Sequence, residues 1–182
     1  MKKIYLFGLW LFMAVPASAE GLYIIGDFGQ SNLSYDFGNL YVGTTDTTFS
    51  VGAGYAVDRV FSFEVAYRDF GSFTMFKDDY ERNSIDGEAI QVSLIAKYAA
   101  GDLVNLYGRV GIADLTYDAK TQYFDYPEDN ETTSESKTKL FFGVGASYAC
   151  NERVSLRAEY NKYSELEQVS SSVVTIGATY SF

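Results

Sequence analysis

The chain has 182 residues, with 14 Lys plus Arg against 24 Asp plus Glu, a formal charge of −10 and no His. That balance argues against nucleic acid as a partner. The single thiol, Cys150, excludes an intramolecular disulfide and reads as a buried or turn cysteine.

The N-terminal stretch MKKIYLFGLWLFMAVPASA places Lys2 and Lys3 before an uncharged apolar run over 4–15, then Ala17, Ser18 and Ala19. This is the pattern of a cleaved secretory signal peptide over 1–19, and the apolar run is too short to span a bilayer as a helix. The expected mature domain is 20–182, more acidic still because both leader lysines are removed. Beyond the leader no apolar run reaches the roughly 18 residues of a membrane helix, so helical spanning is excluded. Aromatics make up 17 % of the chain, Gly is frequent and Pro occurs twice, a usage that favours strands.

Eight segments alternate with period two. LYIIGDF places Leu22, Ile24 and Phe28 on one face and Asp27 on the other. Next, Phe49, Val51, Ala53 and Tyr55 oppose Ser50, Gly52 and Gly54, and Phe61, Phe63, Val65 and Tyr67 oppose Ser62, Glu64, Ala66 and Arg68. In the fourth, Ile90, Val92, Leu94, Ala96 and Tyr98 oppose Gln91, Ser93 and Lys97, with Ile95 as the exception. The fifth sets Leu106, Val110 and Ile112 against Tyr107, Arg109 and Gly111. Its parity fails near Asp114, where either a bulge or the membrane boundary is expected. Phe142, Val144, Ala146 and Tyr148 then oppose Gly143, Gly145 and Ser147, and Val154, Leu156, Ala158 and Tyr160 oppose Ser155, Arg157, Glu159 and Asn161. The last segment sets Val174, Ile176, Ala178, Tyr180 and Phe182 against Thr175, Gly177, Thr179 and Ser181.

Connections alternate in length: 56–59, 99–105 and 149–153 are short, whereas 37–47, 69–88, 117–138 and 164–171 read as longer loops. Transmembrane barrels have this asymmetry. The polar parity concentrates glycines with Asp27, Glu64, Arg68, Lys97, Arg109, Arg157 and Glu159. Glycine weakens a water-facing strand but suits the crowded lumen of a narrow barrel. The opposite parity is bulky and apolar, and its tyrosines stand near segment ends where ring and hydroxyl straddle an interface. The expected fold is all-β, an eight-stranded antiparallel up-and-down transmembrane β-barrel.

The stretches FSVGAGYAVDRVFSFEVAYRDFG, IQVSLIAKYAA, LYGRVG, VSLRAEY and TIGATYSF, in this order and spacing, resemble the small outer-membrane barrels of the OmpA transmembrane-domain and opacity-protein family. The resemblance covers essentially the whole mature chain. It implies residence in the outer membrane of a Gram-negative cell and a lumen plugged by an ion-pair network. Glu64, Lys97, Arg109 and Arg157 match that network's members, with Glu159 at an acidic family position. The pattern differs at Asp27, where it carries a lysine, and at Ser147, where it carries an acid. No peptidoglycan-binding domain is expected. Ile176, Tyr180 and Phe182 resemble the terminal signal read by the barrel assembly machinery.

The lumen charges are the one constellation with defined geometry, and near balance between three acids and four bases is what desolvation requires. With no His to activate a nucleophile, and no metal-ligand cluster or phosphate loop, neither enzyme activity nor a cofactor is expected. The acidic stretches DYPEDNETTSESK and FKDDYERNSIDGE read as solvated loop surface. The sharper alternative has Asp78, Asp79, Glu128, Asp129 and Glu131 bridging divalent cations to lipopolysaccharide. Tyr117, Tyr123, Phe124 and Tyr126 offer aromatic area for a host or phage ligand, or equally extend the barrel hairpin above the membrane. The expected function is therefore a monomeric, non-enzymatic anchor that presents acidic external loops for surface interaction or adhesion. The alternative is a narrow, porin-like ion-conducting pore.

Overall fold

The computed structural model describes residues 21–36, 41–77, 81–123, 131–166 and 169–182. The expected leader and its cleavage point before Glu20 lie outside the described residues. Eight strands follow in chain order: β1 (Leu22–Asp36), β2 (Tyr41–Ala56), β3 (Phe61–Lys77), β4 (Glu81–Ala99), β5 (Val104–Tyr123), β6 (Glu131–Ala149), β7 (Val154–Leu166) and β8 (Val169–Ser181). Each pairs antiparallel with its sequence neighbour, and β1 closes on β8. Among the described residues there is no helix.

Closure requires tilted strands and a fixed stagger. Partners followed once around from Tyr23 run through Gly54, Glu64, Ser93, Gly111, Phe141, Tyr163 and Ser171, and return to β1 at Leu33. The circuit has climbed ten residues along β1. This stagger brings residues distant in sequence to the same height in the lumen.

Alternation assigns the two faces. Phe28, Val51, Val65, Ile90, Val110, Val144 and Ile176 are exposed on the outer surface, as are Tyr55, Tyr98, Tyr148 and Tyr180 near the short-turn end. Asp27, Glu64, Arg68, Arg109, Arg157 and Glu159 are buried inside. The turns at the lower end are tied by Val57 N–H to Phe61 O, Ala100 N–H to Val104 O and Cys150 N–H to Val154 O, each at 2.9 Å. Asp58 accepts the N–H groups of Phe61 and Val60, both at 2.7 Å, which holds its carboxyl below the usual carboxylate pKa. Cys150 is exposed in the last of these turns.

The longer connections read from the sequence are mostly strand. β3 to β6 run 17, 19, 20 and 19 residues, whereas about 9–11 cross a bilayer. Above the lipid-facing band the ladder continues while outward positions turn polar, so the apolar alternation disappears without the strands ending. Cross-strand side-chain bonds replace it: Thr116 with Ser136 at 3.1 Å, and Ser134 donating to Asp118 at 2.5 Å. At Asp114 the pairing is continuous with both β4 and β6, so no bulge falls there. What changes is the chemistry of each face, because Asp114 points out while Ala113 and Leu115 are buried inside. The register shifts fall instead on β3, between Asp69 and Gly71 and between Thr74 and Phe76, and on β7 between Tyr163 and Leu166. Gly71 takes φ 88°, a left-handed conformation that suits glycine at a bulge.

Pairing of β2 with β3 stops upward at Phe49 and Asp69, and that of β6 with β7 at Phe141 and Tyr163. Above these points the wall divides into two leaves, β7–β8–β1–β2 and β3–β4–β5–β6. Side chains bridge the first seam: Thr48 Oγ1 donates to Asp69 O, Ser31 Oγ donates to Phe70 O, and the Asp46 carboxylate accepts Ser72 N–H.

Candidate functional site

The lumen is filled in layers. In the lower half, Glu64 on β3, Arg109 on β5 and both Arg157 and Glu159 on β7 form a closed ring of alternating charge. Arg157 Nη1 lies 2.9 Å from Glu64 Oε1 and its Nη2 lies 2.6 Å from Glu159 Oε2. Arg109 Nη1 lies 2.8 Å from Glu159 Oε1. Arg109 Nη2 stands 3.0 Å from Glu64 Oε2, close enough for an ion pair but not aligned as a hydrogen bond. All four side chains are at most 4 % exposed. Pairing of this kind is what makes buried ions tolerable, since an isolated one costs several kcal/mol.

Neutral groups complete the ring. Tyr23 OH donates to Glu64 and Tyr107 OH to Glu159, both at 3.0 Å, Asn161 Nδ2 donates to Glu159, and Arg109 Nε donates to Ser93 Oγ at 2.9 Å. The Arg157 guanidinium also stacks on the Tyr107 ring. Two glycines make room for the tyrosines: a Cβ at Gly54 would run into the Tyr23 ring and one at Gly145 into the Tyr107 ring.

A second pair sits higher. Arg68 Nη2 lies 3.2 Å from Asp27 Oδ1, with both side chains 1 % exposed. Above it, Leu33, Phe70, Phe73, Ala89, Ala113, Leu115, Phe141, Tyr163 and Val173 form an apolar layer, and Tyr117 packs against this layer from β5 instead of lying in a loop open to a ligand. Tyr163 stacks on Phe141 and meets Phe70 edge-on. Its hydroxyl accepts Gln91 Nε2 at 2.6 Å. Arg109 over the Phe141 ring joins the two levels.

Of the seven charged residues read from the sequence, six therefore fall into a four-membered ring and a separate pair. Lys97 joins neither. It is half-buried at the lower mouth, with Nζ 5.3 Å from the Tyr23 ring centroid. Ile176, Tyr180 and Phe182 are exposed on the outer surface, with Tyr180 and Phe182 edge-to-face. Asp78, Asp79, Phe124, Tyr126, Glu128 and Asp129 lie outside the described residues, as do the side chains of Tyr123 and Glu131. Period two puts Tyr107 and Asn161 on the polar parity but gives them no part in the network, and it leaves Tyr23 unplaced. The signal that finds the tyrosines is an aromatic on the polar parity whose cross-strand partner is glycine, as in Tyr23 with Gly54 and Tyr107 with Gly145.

A closed barrel with an apolar exterior and a lumen packed with buried ion pairs defines a transmembrane protein of the bacterial outer membrane. The chain belongs to the outer membrane protein beta-barrel domain family, whose profile matches residues 6–182. It is similar to an uncharacterized protein of Haemophilus influenzae, 25 % identical over 190 residues and covering all of both chains. Among solved structures it resembles Neisserial surface protein A, with TM-score 0.67, 18 % identity, and coverage of 89 % of this chain and 97 % of that one. It also resembles the attachment invasion locus protein Ail of Yersinia pestis, with TM-score 0.61, 19 % identity, and coverage of 89 % and 99 %. The N-terminal β-barrel domain of Pseudomonas aeruginosa OprF matches with TM-score 0.59, 15 % identity, and coverage of 89 % and 98 %. At these identities the solved structures bear on the fold alone.

Proposed function

We propose that the protein is a non-enzymatic anchor whose barrel holds it among outer-membrane lipid and lipopolysaccharide. The tall strand pairs β3–β4 and β5–β6 then present a surface for a host or phage ligand. One observation carries this function: the lumen is closed twice, by the charged ring and by the apolar layer, while β3 to β6 run well past the lipid-facing band. A solute would have to displace both layers. The outward face above the band is acidic and hydroxyl-rich, with Asp114, Glu88, Thr138 and Ser136 exposed. The absence of His from the sequence removes the usual activator of a nucleophile or water.

Planar-bilayer recording tests this reading against the pore alternative. The purified protein should give no open steps. Discrete steps that vanish when Glu64 or Arg157 is neutralised would replace the anchor with a pore.

Export and assembly belong to the same proposal. Residues 1–19 act as the leader, and Ile176, Tyr180 and Phe182 act as the strand-end signal for the barrel assembly machinery. Support for the latter is their shared outward direction. The intact mass of the membrane-borne protein should begin at Glu20, and Phe182→Ala should accumulate unassembled in the periplasm. A full-length mass would overturn the leader, and normal assembly of the variant would overturn the signal.

A further inference from the structure

Charge in the lower lumen does not cancel. Glu64 and Glu159 offset Arg109 and Arg157, and Asp27 offsets Arg68, which leaves Lys97 with no ion-pair partner among the described residues. Beneath the ring lies a cavity of about 120 Å³, lined by Lys97, Asn105, Ser147, Ser155, Thr179 and Ser181 among others. The carboxylate on its wall is already engaged. Glu64 Oε1 takes Tyr23 OH and Arg157, and Glu64 Oε2 faces Arg109. The Tyr107 hydroxyl, also on this wall, gives its proton to Glu159 and so has none to offer the cavity. The rest of the polar wall is one ammonium, which can only donate, with four aliphatic hydroxyls and one amide, which can donate to an anion as readily as accept. Arg157 lines the same cavity, and its Nε is buried with no hydrogen-bond partner.

We propose that this vestibule binds one small monovalent inorganic anion of the halide class, held by the Lys97 ammonium and the surrounding hydroxyls. A cation partly withdrawn from bulk water is stabilised by a counter-charge and by hydrogen bonds. One uncompensated positive charge calls for one negative charge, and a dianion would reverse the imbalance. The Tyr23 ring face under Lys97 steadies the ammonium without neutralising it. The site stands or falls independently of any ligand at the strand tips.

Chloride titration of the mature protein in a neutral detergent, followed by the linewidth of the chloride NMR signal, tests the site. Wild type should show saturable broadening above the detergent blank. Lys97→Met should weaken binding about tenfold or more, while Lys97→Arg keeps it. Folding of each variant is checked by its heat-dependent gel mobility. Wild-type broadening no greater than the blank overturns the proposal, as does a folded Lys97→Met that binds like wild type. Should Lys97→Met fail to fold, the double variant Ser147→Ala with Ser155→Ala takes its place, and unchanged binding there is equally fatal.

Discussion

Glu159→Ala should lower the stability of the folded barrel by about 3–5 kcal/mol, the usual effect of removing one partner from a buried ion pair. The Glu159 side chain is fully buried and gathers four donors: Arg109, Arg157, Tyr107 and Asn161. Without it two guanidiniums face the single carboxylate of Glu64, and the ring changes from neutral to positive in a place that water does not screen. Burial contributes more here than attraction does, because the groups left behind stay desolvated whether or not they are paired. A second variant separates charge from lost contacts. Glu159→Ala combined with Arg157→Met leaves Glu64 opposite Arg109, restores neutrality, and should recover more than half of the loss. Urea titration in lipid bilayers, read as the midpoint at which the folded gel form disappears, measures both. A single-variant effect below about 1 kcal/mol, the scale of an exposed pair, would mean that the ring is solvated.

The faces of the barrel were legible in the sequence because period two and side-chain chemistry coincide within the lipid-facing band. Any residue there that is polar or glycine on the apolar residues' opposite parity had to be inside. That logic found Asp27, Glu64, Arg68, Arg109, Arg157 and Glu159 as lumen residues. It did not give their pairing, which depends on register. Glu64 and Arg157 stand 93 residues apart and meet only because the stagger sets β3 and β7 at one height across the lumen. Nor was Lys97's separation from the ring visible, since its parity is the same as that of the ring members.

Above the band the coincidence ends. Ala113 and Leu115 are apolar and point inward, while Asp114 and Thr138 point outward. A pattern defined by apolar residues on one face therefore stops at the lipid margin, and the strand beyond it was read as loop. Phe141 illustrates the ambiguity, because it adjoins the lipid-facing Phe142 and only burial distinguishes the two.

Gly29→Val should abolish the folded barrel, whereas Gly26→Val, three residues earlier on the same strand, should leave it intact. A Cβ at Gly29 would meet the Val174 carbonyl oxygen and the Thr175 Cα, both backbone atoms of β8. A side chain in the way could rotate, but a paired backbone has nowhere to go, so β1 and β8 must separate. That is the seam joining the first strand to the last, and opening it inside hydrocarbon leaves N–H and C=O groups without partners at several kcal/mol each. At Gly26 a Cβ meets nothing within 4 Å, and the position faces outward between Val51 and Ala178 on the neighbouring strands. Valine there gains β propensity and a lipid contact, so stability should hold or rise slightly. The fraction of outer-membrane protein whose gel mobility shifts on heating distinguishes the outcomes. A Gly29→Val chain folding to the wild-type level would show that β1 and β8 do not approach as closely as this register requires.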